Sequence, residues 1–247
     1  MNIGIIGAGN IGGTLARRFA SLGHQVSIAN SKGPESLAAF TAETGVTPAT
    51  VQQVVQDKDL VVVALPQQSI PDLPKGLFAT AADNTIVVDT GNYYPEIRDI
   101  RIAAIDDGMP ESEWVSQQLG IPVIKAFNSI TIWSLTTRGL PSGTPGRVCL
   151  SVAGDSSQGK KVILELMDQI GFDGIDAGTL ADSWRQQTGA PAYCMDLDRA
   201  ALAIALQQAE HSKMAEYRMK AVADAKRAVE EAGSLDAAMA NAGKTGR

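Results

Sequence analysis

Asn2-Ile3-Gly4-Ile5-Ile6-Gly7-Ala8-Gly9-Asn10-Ile11-Gly12 opens the chain directly after Met1, and its reading decides the fold. Asn2 to Ile6 is a short apolar run of strand type. The glycines follow at once with the spacing G-x-G-x-x-G. From Gly13 to Phe19 the pattern turns helical, with Leu15, Ala16 and Phe19 at three- and four-residue spacing. Strand, glycine turn, helix is the context that raises a bare glycine motif to a strong signal. Gly7 permits the tight turn, Gly9 lets the backbone approach a pyrophosphate, and Gly12 lets the helix pack closely on the strand. Free N–H groups at the helix start, with the helix dipole, then hold phosphates. The stretch predicts a dinucleotide site.

The second strand reads Gln25-Val26-Ser27-Ile28-Ala29, and its carboxyl end delivers Asn30-Ser31-Lys32-Gly33-Pro34. An acidic residue at this place grips the ribose 2′-hydroxyl of NAD, and it would repel a 2′-phosphate. Here Asn30 stands instead, Ser31 can donate a hydrogen bond and Lys32 can neutralise charge. Pro34 suits the first turn of a following helix. Glu35 falls inside that helix rather than at the strand end. NADP is the expected coenzyme.

Further along, Pro34 to Thr44 reads as a helix, Thr47-Pro48 as a break and Thr50 to Gln56 as another short helix. Leu60 to Leu65 is a continuous apolar run, as expected for a parallel strand covered on both faces. It ends in Pro66. A second buried strand, Thr85 to Asp89, ends in Thr90-Gly91-Asn92-Tyr93-Tyr94-Pro95, and a third, Pro122 to Ala126, in Phe127-Asn128-Ser129. In open parallel sheets ligands lie outside the carboxyl ends of the strands, so these polar ends should share one rim with the glycine turn. Arg147 to Ala153 is a further strand. Gly154-Asp155-Ser156 starts a helix ended by Gly171, and Gly174 to Gly178 is a last short strand.

Leu180 to Cys194 reads as irregular. Beyond it, Leu197 to Gln208 and Ser212 to Glu231 read as helices, the second with an apolar stripe of Met214, Tyr217, Ala221, Ala225 and Val229 that suits packing or a homodimer contact. The tail from Ala240 should fray. Gly243-Lys244-Thr245 imitates the end of a phosphate loop, but Ala238 occupies the earlier glycine position. The expected class is α/β: a Rossmann-type, doubly wound, mostly parallel sheet with a short C-terminal helical segment. Residues 1–180 form the NADP-binding part and 181–247 the loop and helices.

At 247 residues the chain should bury about 70–75% of its unfolded surface, so no metal or disulfide staple is required. A net charge of −6 argues against nucleic acid as the main partner. Cys149 and Cys194 have no metal-ligand spacing, and His24 and His211 lie far apart. No cationic start or cleavage site marks a signal peptide, and no apolar run is long enough to span a bilayer. The expectation is a cytoplasmic protein without metal or membrane partner.

The glycine turn, Asn30-Ser31-Lys32-Gly33-Pro34, Asp89-Thr90-Gly91-Asn92, Lys125-Ala126-Phe127-Asn128-Ser129 and Asp176-Ala177-Gly178, in that order, resemble the coenzyme F420-dependent NADP oxidoreductase family. The ferrireductase domain of the STEAP proteins is similar. The resemblance covers about Met1 to Leu180, and the segment from Ser183 to Cys194 looks like the bacterial branch. It implies that Gly7, Gly9, Asn10, Ile11, Gly12, Asn30, Ser31 and Lys32 hold NADP. It also implies that Leu65, Pro66, Thr90, Gly91, Asn92, Ala126, Phe127 and Asn128 surround the nicotinamide. Lys32 departs from the arginine often found there, and the helical end after Leu197 is longer than in archaeal members.

The implied activity is hydride transfer between NADPH and a flavin or deazaflavin acceptor (F420, FMN or FAD), where ring stacking matters more than a proton donor. Tyr93, Trp184, Arg185 and Tyr193 are the acceptor-pocket candidates, and no catalytic residue is assigned. A carbonyl or imine reductase, similar to the β-hydroxyacid dehydrogenase or pyrroline-carboxylate reductase groups, would need a general acid, for which Lys125 and Asn128 offer themselves. An NADP-sensing regulator is the non-enzymatic alternative.

Overall fold

The computed structural model describes residues 1–244. Among these, the strands are β1 Asn2–Ile6, β2 Gln25–Ala29, β3 Thr47–Pro48, β4 Leu60–Val63, β5 Ile86–Asp89, β6 Ile124–Lys125, β7 Cys149–Val152 and β8 Asp173–Asp176. The helices are α1 Asn10–Ser21, α2 Ala38–Thr44, α3 Ala103–Asp106, α4 Glu111–Leu119, α5 Ile132–Thr137, α6 Ser157–Gln169, α7 Arg199–Gln208, α8 Met214–Ala232 and α9 Leu235–Asn241.

Strands β1 to β6 form one parallel sheet in the order β3-β2-β1-β4-β5-β6. The chain steps outward from β1 to β3, crosses back, and continues from β4 to β6 on the other side. Strand order therefore reverses between β1 and β4, which pair in register from Ile3 opposite Leu60 to Ile6 opposite Val63. A crevice opens outside the carboxyl ends of strands at such a reversal. Strands β7 and β8 pair parallel with each other, and Ala153 joins them to Lys125 through an antiparallel bridge of two backbone hydrogen bonds, 2.8 and 3.0 Å. The architecture is Rossmann-type, mostly parallel, with helices on both faces.

The sequence reason lies in the central strands. All of Leu60 to Val63 is buried. Leu60 and Val62 join Ile3, Ile5, Leu15, Phe19 and Ile163 on one face; Val61 and Val63 join Ile6, Val87, Ile105 and Trp114 on the other. Successive side chains point to opposite faces, and both faces are covered, so the strand reads as an unbroken apolar run. Burial of each such side chain contributes roughly 1.5–3 kcal/mol.

Several elements depart from the sequence reading. Thr47-Pro48 is not a break but an edge strand, pairing with Ser27 and Ile28. Proline is tolerated there because an edge strand has one side without ladder bonds. Residues 50–56 form successive turns rather than a helix, with Val54 N donating to Thr50 O at 3.1 Å. The Pro34 to Thr44 helix begins as a 3-10 turn over Pro34–Leu37 before α2. The segment Leu180–Gln186, read as irregular, is a 3-10 helix started by a Thr179–Asp182 capping box. On α8 the buried positions are Met214, Arg218 and Val222, while Tyr217, Ala221, Ala225 and Val229 are half-buried. Arg218 belongs to the buried face because its guanidinium lies over the Tyr93 ring, 5.1 Å from its centre, and 3.6 Å from Asp106. Helix α9 was not anticipated. Ser234 caps it, accepting from Ala237 N at 3.2 Å, and it packs on α5 and α8. The fraying expected from Ala240 does not begin before Asn241, and Thr245, with the rest of the tail, lies outside the described residues.

Candidate functional site

The glycine turn connects β1 to α1 at the reversal point. Gly7 and Gly12 are required by the chain itself. Gly7 has φ +109°, and a Cβ on it would lie 2.3 Å from Ala64 O; a Cβ on Gly12 would lie 2.0 Å from Gly7 O. Gly9 is different. Its φ of −74° suits any residue, and a Cβ there would meet nothing within 4 Å. Nothing inside the protein asks for glycine at this position, whereas a phosphate group lying against the turn would. The start of α1 fits such a group: Gly9 gives no side-chain cap, the first turn carries no acid, and the first amides of a helix have no intrahelical acceptor.

At the end of β2, Asn30 folds the turn rather than facing a ligand. Its Oδ1 accepts from Lys32 N at 3.0 Å, and its Nδ2 donates to Ser36 Oγ at 2.8 Å. Ser36 Oγ in turn donates to Gly33 O at 2.7 Å. This leaves Ser31 and Lys32 exposed on the rim, their side chains without hydrogen-bond or ion-pair partners among the described residues.

The ends of β4, β5 and β6 complete the rim. Leu65 and Pro66 are half-buried beside the glycine turn. Thr90 is buried, both its N and its Oγ1 being directed to Val63 O at 3.1 and 3.4 Å. Ala126 and Phe127 are buried in the core, so only their backbone can face a ligand. Phe127 has φ +58°, a left-handed conformation that costs an aromatic residue of order 1–3 kcal/mol. That turn delivers Asn128 to the rim. Asn128 Nδ2 donates to Asn92 Oδ1 at 3.1 Å and to Gln186 O at 2.8 Å, while Asn92 Nδ2 donates to Asn128 O at 2.9 Å. Gln67, fully buried, brackets the Asn92 backbone when its amide is turned to suit its neighbours, donating to Asn92 O at 2.7 Å and accepting from Asn92 N at 3.2 Å.

Beneath this rim lies a charged cluster. Lys125 Nζ, fully buried, donates to Gly91 O at 2.6 Å and Asp89 Oδ2 at 3.2 Å, and lies 3.6 Å from Glu111 Oε2. Asp89 also accepts from Ser112 Oγ at 2.6 Å and Gly91 N at 2.8 Å. Burial pushes the Glu111 carboxyl above its ordinary range, with the Lys125 ammonium opposing it. Lys125 is thereby committed to shaping the Gly91-Asn92 loop and cannot serve as the general acid of a reductase.

An apolar cavity of about 220 Å³ opens beside Ile11, Asn92 and Asn128. Its other walls are Tyr94, Arg98, Tyr193 and Cys194, and the α8–α9 side chains Ala225, Leu235 and Met239. Tyr193, one of the acceptor-pocket candidates, is brought to this cavity. The other expected residues are not. Tyr93 points into the core, its hydroxyl accepting from Ile102 N at 2.8 Å; alternation along an extended segment puts its neighbour Tyr94 on the rim instead. Trp184 stacks edge-on against His211 at 5.0 Å, and Arg185 lies on the Trp184 ring and pairs with Asp182 at 3.4 Å. From that same segment it is Gln186 that reaches the rim, donating to Asn128 Oδ1 at 3.0 Å. Ser129 ties the Tyr193 loop to β6, donating to Ala192 O at 2.8 Å and accepting from Cys194 N at 3.1 Å.

Comparison with known proteins gives the family of the chain. Residues 2–93 match the family described as NADP oxidoreductase, coenzyme F420-dependent. A hypothetical protein from Sinorhizobium meliloti is 32% identical, with a TM-score of 0.66 over 80% of this chain and 95% of its own. The chain belongs to the coenzyme F420-dependent NADP oxidoreductase family. A protein from Arthrobacter sp. FB24 described as an F420-dependent NADP reductase shares the fold of this family member over 96% of both chains, at 20% identity and a TM-score of 0.59. Metalloreductase STEAP3 of Rattus norvegicus is 23% identical over 182 residues, 73% of this oxidoreductase-family chain. The chain spans between about a third and a half of the length of the curated relatives it matches. No helix among the described residues of this oxidoreductase-family protein is long and apolar enough to cross a membrane.

Proposed function

We propose that the chain binds NADP(H) along the rim and exchanges hydride with a flavin or deazaflavin ring held in the cavity between the strand ends and α8–α9. The single observation that carries this reading is the position of Gly9: a residue bare of side chain, with open space in front of it, at the uncapped start of α1. The pyrophosphate lies against Gly9, Asn10 and Ile11. The 2′-phosphate takes a hydrogen bond from Ser31 and the charge of Lys32, with the Asn30 turn holding both in place. The nicotinamide faces Pro66, Gly91, Asn92 and Asn128, whose amides orient its carboxamide. When bound, NADPH supplies the hydride. The chain's own residues position the two rings, and the apolar walls exclude water from the transfer.

A second reading is favoured by one specific feature, the Tyr94 and Tyr193 hydroxyls, whose oxygens lie 3.0 Å apart in the cavity wall. A carbonyl or imine acceptor gains a proton as hydride arrives, and these hydroxyls can supply it. Stopped-flow oxidation of bound NADPH against F420, FMN, FAD and a panel of ketones and imines tests the assignment. Turnover of flavin-type acceptors supports the first reading, and turnover of carbonyls or imines alone replaces it with the second. NADPH binding without any turnover refutes both and leaves a sensor.

A further inference from the structure

Tyr94 and Tyr193 stand 99 residues apart in sequence, yet their hydroxyl oxygens meet at 3.0 Å in the wall of the cavity that also touches Ile11, Asn92 and Asn128. One hydroxyl donates to the other, which uses one hydrogen and leaves the second for another acceptor, with the Cys194 thiol beside the pair in the same wall. The Arg98 guanidinium lies 5.7 Å from the centre of the Tyr94 ring. Its Nη2 is occupied by Asn92 O and Asp99 Oδ2, while its buried Nε has no partner. The bare Arg98 Nε and a phenolic hydrogen without an acceptor are costly to leave in an apolar wall unless something polar comes to them.

We propose that the Tyr94–Tyr193 hydroxyl pair is the catalytic acid of this cavity, donating its free proton to the acceptor heteroatom that becomes negative when hydride reaches the neighbouring carbon. The proposal rests on the NADPH reading above and narrows the acceptor. It fits rings and chains with a polarised carbon–heteroatom system: a deazaflavin, whose charge arrives at the ring nitrogen and carbonyl conjugated with the reacting carbon, or an imine or carbonyl. In the balanced step the C–H bond of the reduced nicotinamide breaks and a C–H bond forms at the acceptor carbon. The displaced π-electron pair moves to the acceptor N or O, which takes the phenolic proton. The phenolate left behind keeps the hydrogen bond of its partner tyrosine and the field of Arg98, and recovers its proton from solvent.

Burial supports this ordering of events. It pushes the Tyr94 hydroxyl up to about 12 and the Tyr193 hydroxyl well above its ordinary range, each raised further by Cys194. The pair therefore stays protonated across neutral pH, as a proton donor must.

The test uses the full chain and its variants Tyr94→Phe, Tyr193→Phe and the double variant, with 5-deazariboflavin and the cyclic imine 2-methyl-1-pyrroline as probes. NADPH affinity is measured by fluorescence and hydride transfer by single-turnover absorbance. We expect unchanged NADPH affinity and a transfer rate about 100-fold lower in the double variant. The wild-type rate should be flat from pH 6 to 9, and the variant's should fall with rising pH because the proton must then come from solvent. Wild-type transfer should also slow in deuterium oxide, which needs no variant. Equal rates, equal pH profiles and no solvent isotope effect would overturn the acid assignment while leaving the hydride reading intact. Loss of NADPH binding in wild type, or binding with neither probe oxidised, would overturn the hydride reading and this proposal with it. Turnover of one probe only tells deazaflavin from imine.

Discussion

Asn92 and Asn128, from the ends of adjacent parallel strands, hold each other: Asn128 Nδ2 donates to Asn92 Oδ1 at 3.1 Å, and Asn92 Nδ2 donates to Asn128 O at 2.9 Å. The pair is fixed from behind by Gln186 and from beside by Gln67. Asn128→Ala leaves Gln186 Nε2 with only its longer contacts to Lys125 O and Ser151 O, at 3.3 and 3.4 Å. An under-satisfied buried amide costs about 1–3 kcal/mol. We expect thermal stability to fall accordingly and hydride transfer to slow by about tenfold or more through lost orientation. Calorimetric unfolding and single-turnover rates on one preparation check both.

The glycine turn separates the demands of the fold from those of the ligand. Gly9→Ala should unfold at the same temperature as wild type, since its Cβ enters open space, yet bind NADPH at least tenfold more weakly. Gly12→Ala should be destabilised whether or not coenzyme is present, because its Cβ would lie 2.0 Å from Gly7 O. Thermal unfolding with and without NADPH distinguishes the two. Equal coenzyme-induced stabilisation in Gly9→Ala and wild type would remove the pyrophosphate from the turn.

Glu111 makes stability depend on pH. Burial raises its carboxyl above the ordinary value of 4.5, so the folded chain holds that proton more tightly than the unfolded chain does. Its contribution to stability is greatest below the ordinary value and falls as pH rises towards the raised one. Glu111→Gln removes this decline. The variant should equal wild type near pH 4 and exceed it at pH 8 in urea unfolding; a variant weaker than wild type at pH 8 would show that the carboxylate is a net stabilising partner of Lys125.

How much of this was legible in the sequence follows from distance along the chain. The unbroken run Leu60 to Val63 and the G-x-G-x-x-G spacing are local, and they place the sheet and the glycine turn at its point of reversal. Helix α9 escaped because a seven-residue, alanine-rich segment has too few turns to show a period, and packing on α5 and α8 holds it. The sequence reading takes Tyr93 where the structure offers Tyr94, because two adjacent tyrosines in an extended stretch point opposite ways and sequence alone does not say which faces inward. Gln186 is flanked by Trp184 and Arg185, whose aromatic and charged side chains are the more conspicuous pocket candidates in the sequence. The Tyr94–Tyr193 contact is tertiary, and no spacing rule announces it.

The cavity is small. Its volume of about 220 Å³ is below the roughly 300–1,000 Å³ of ordinary ligand pockets. Met239 of α9 forms part of its wall, so Met239→Trp should raise the acceptor KM about tenfold or more and leave the NADPH dissociation constant within about twofold. Met239→Ala should lower the KM for the bulkier acceptors. Steady-state kinetics with varied acceptor at saturating NADPH reads both, and identical KM values in the two variants would detach α9 from the acceptor site.

The central claim is that an adenosine 2′-phosphate rests on Ser31 and Lys32. Isothermal titration of the wild type and of Lys32→Glu with NADPH and with NADH measures it most directly. We predict that wild type binds NADPH at least about tenfold more tightly than NADH, since a charge-assisted hydrogen bond contributes roughly 1.5–3 kcal/mol, and that Lys32→Glu abolishes or reverses the preference. Equal affinities in wild type, an unchanged ratio in the variant, or no heat with either coenzyme would contradict it.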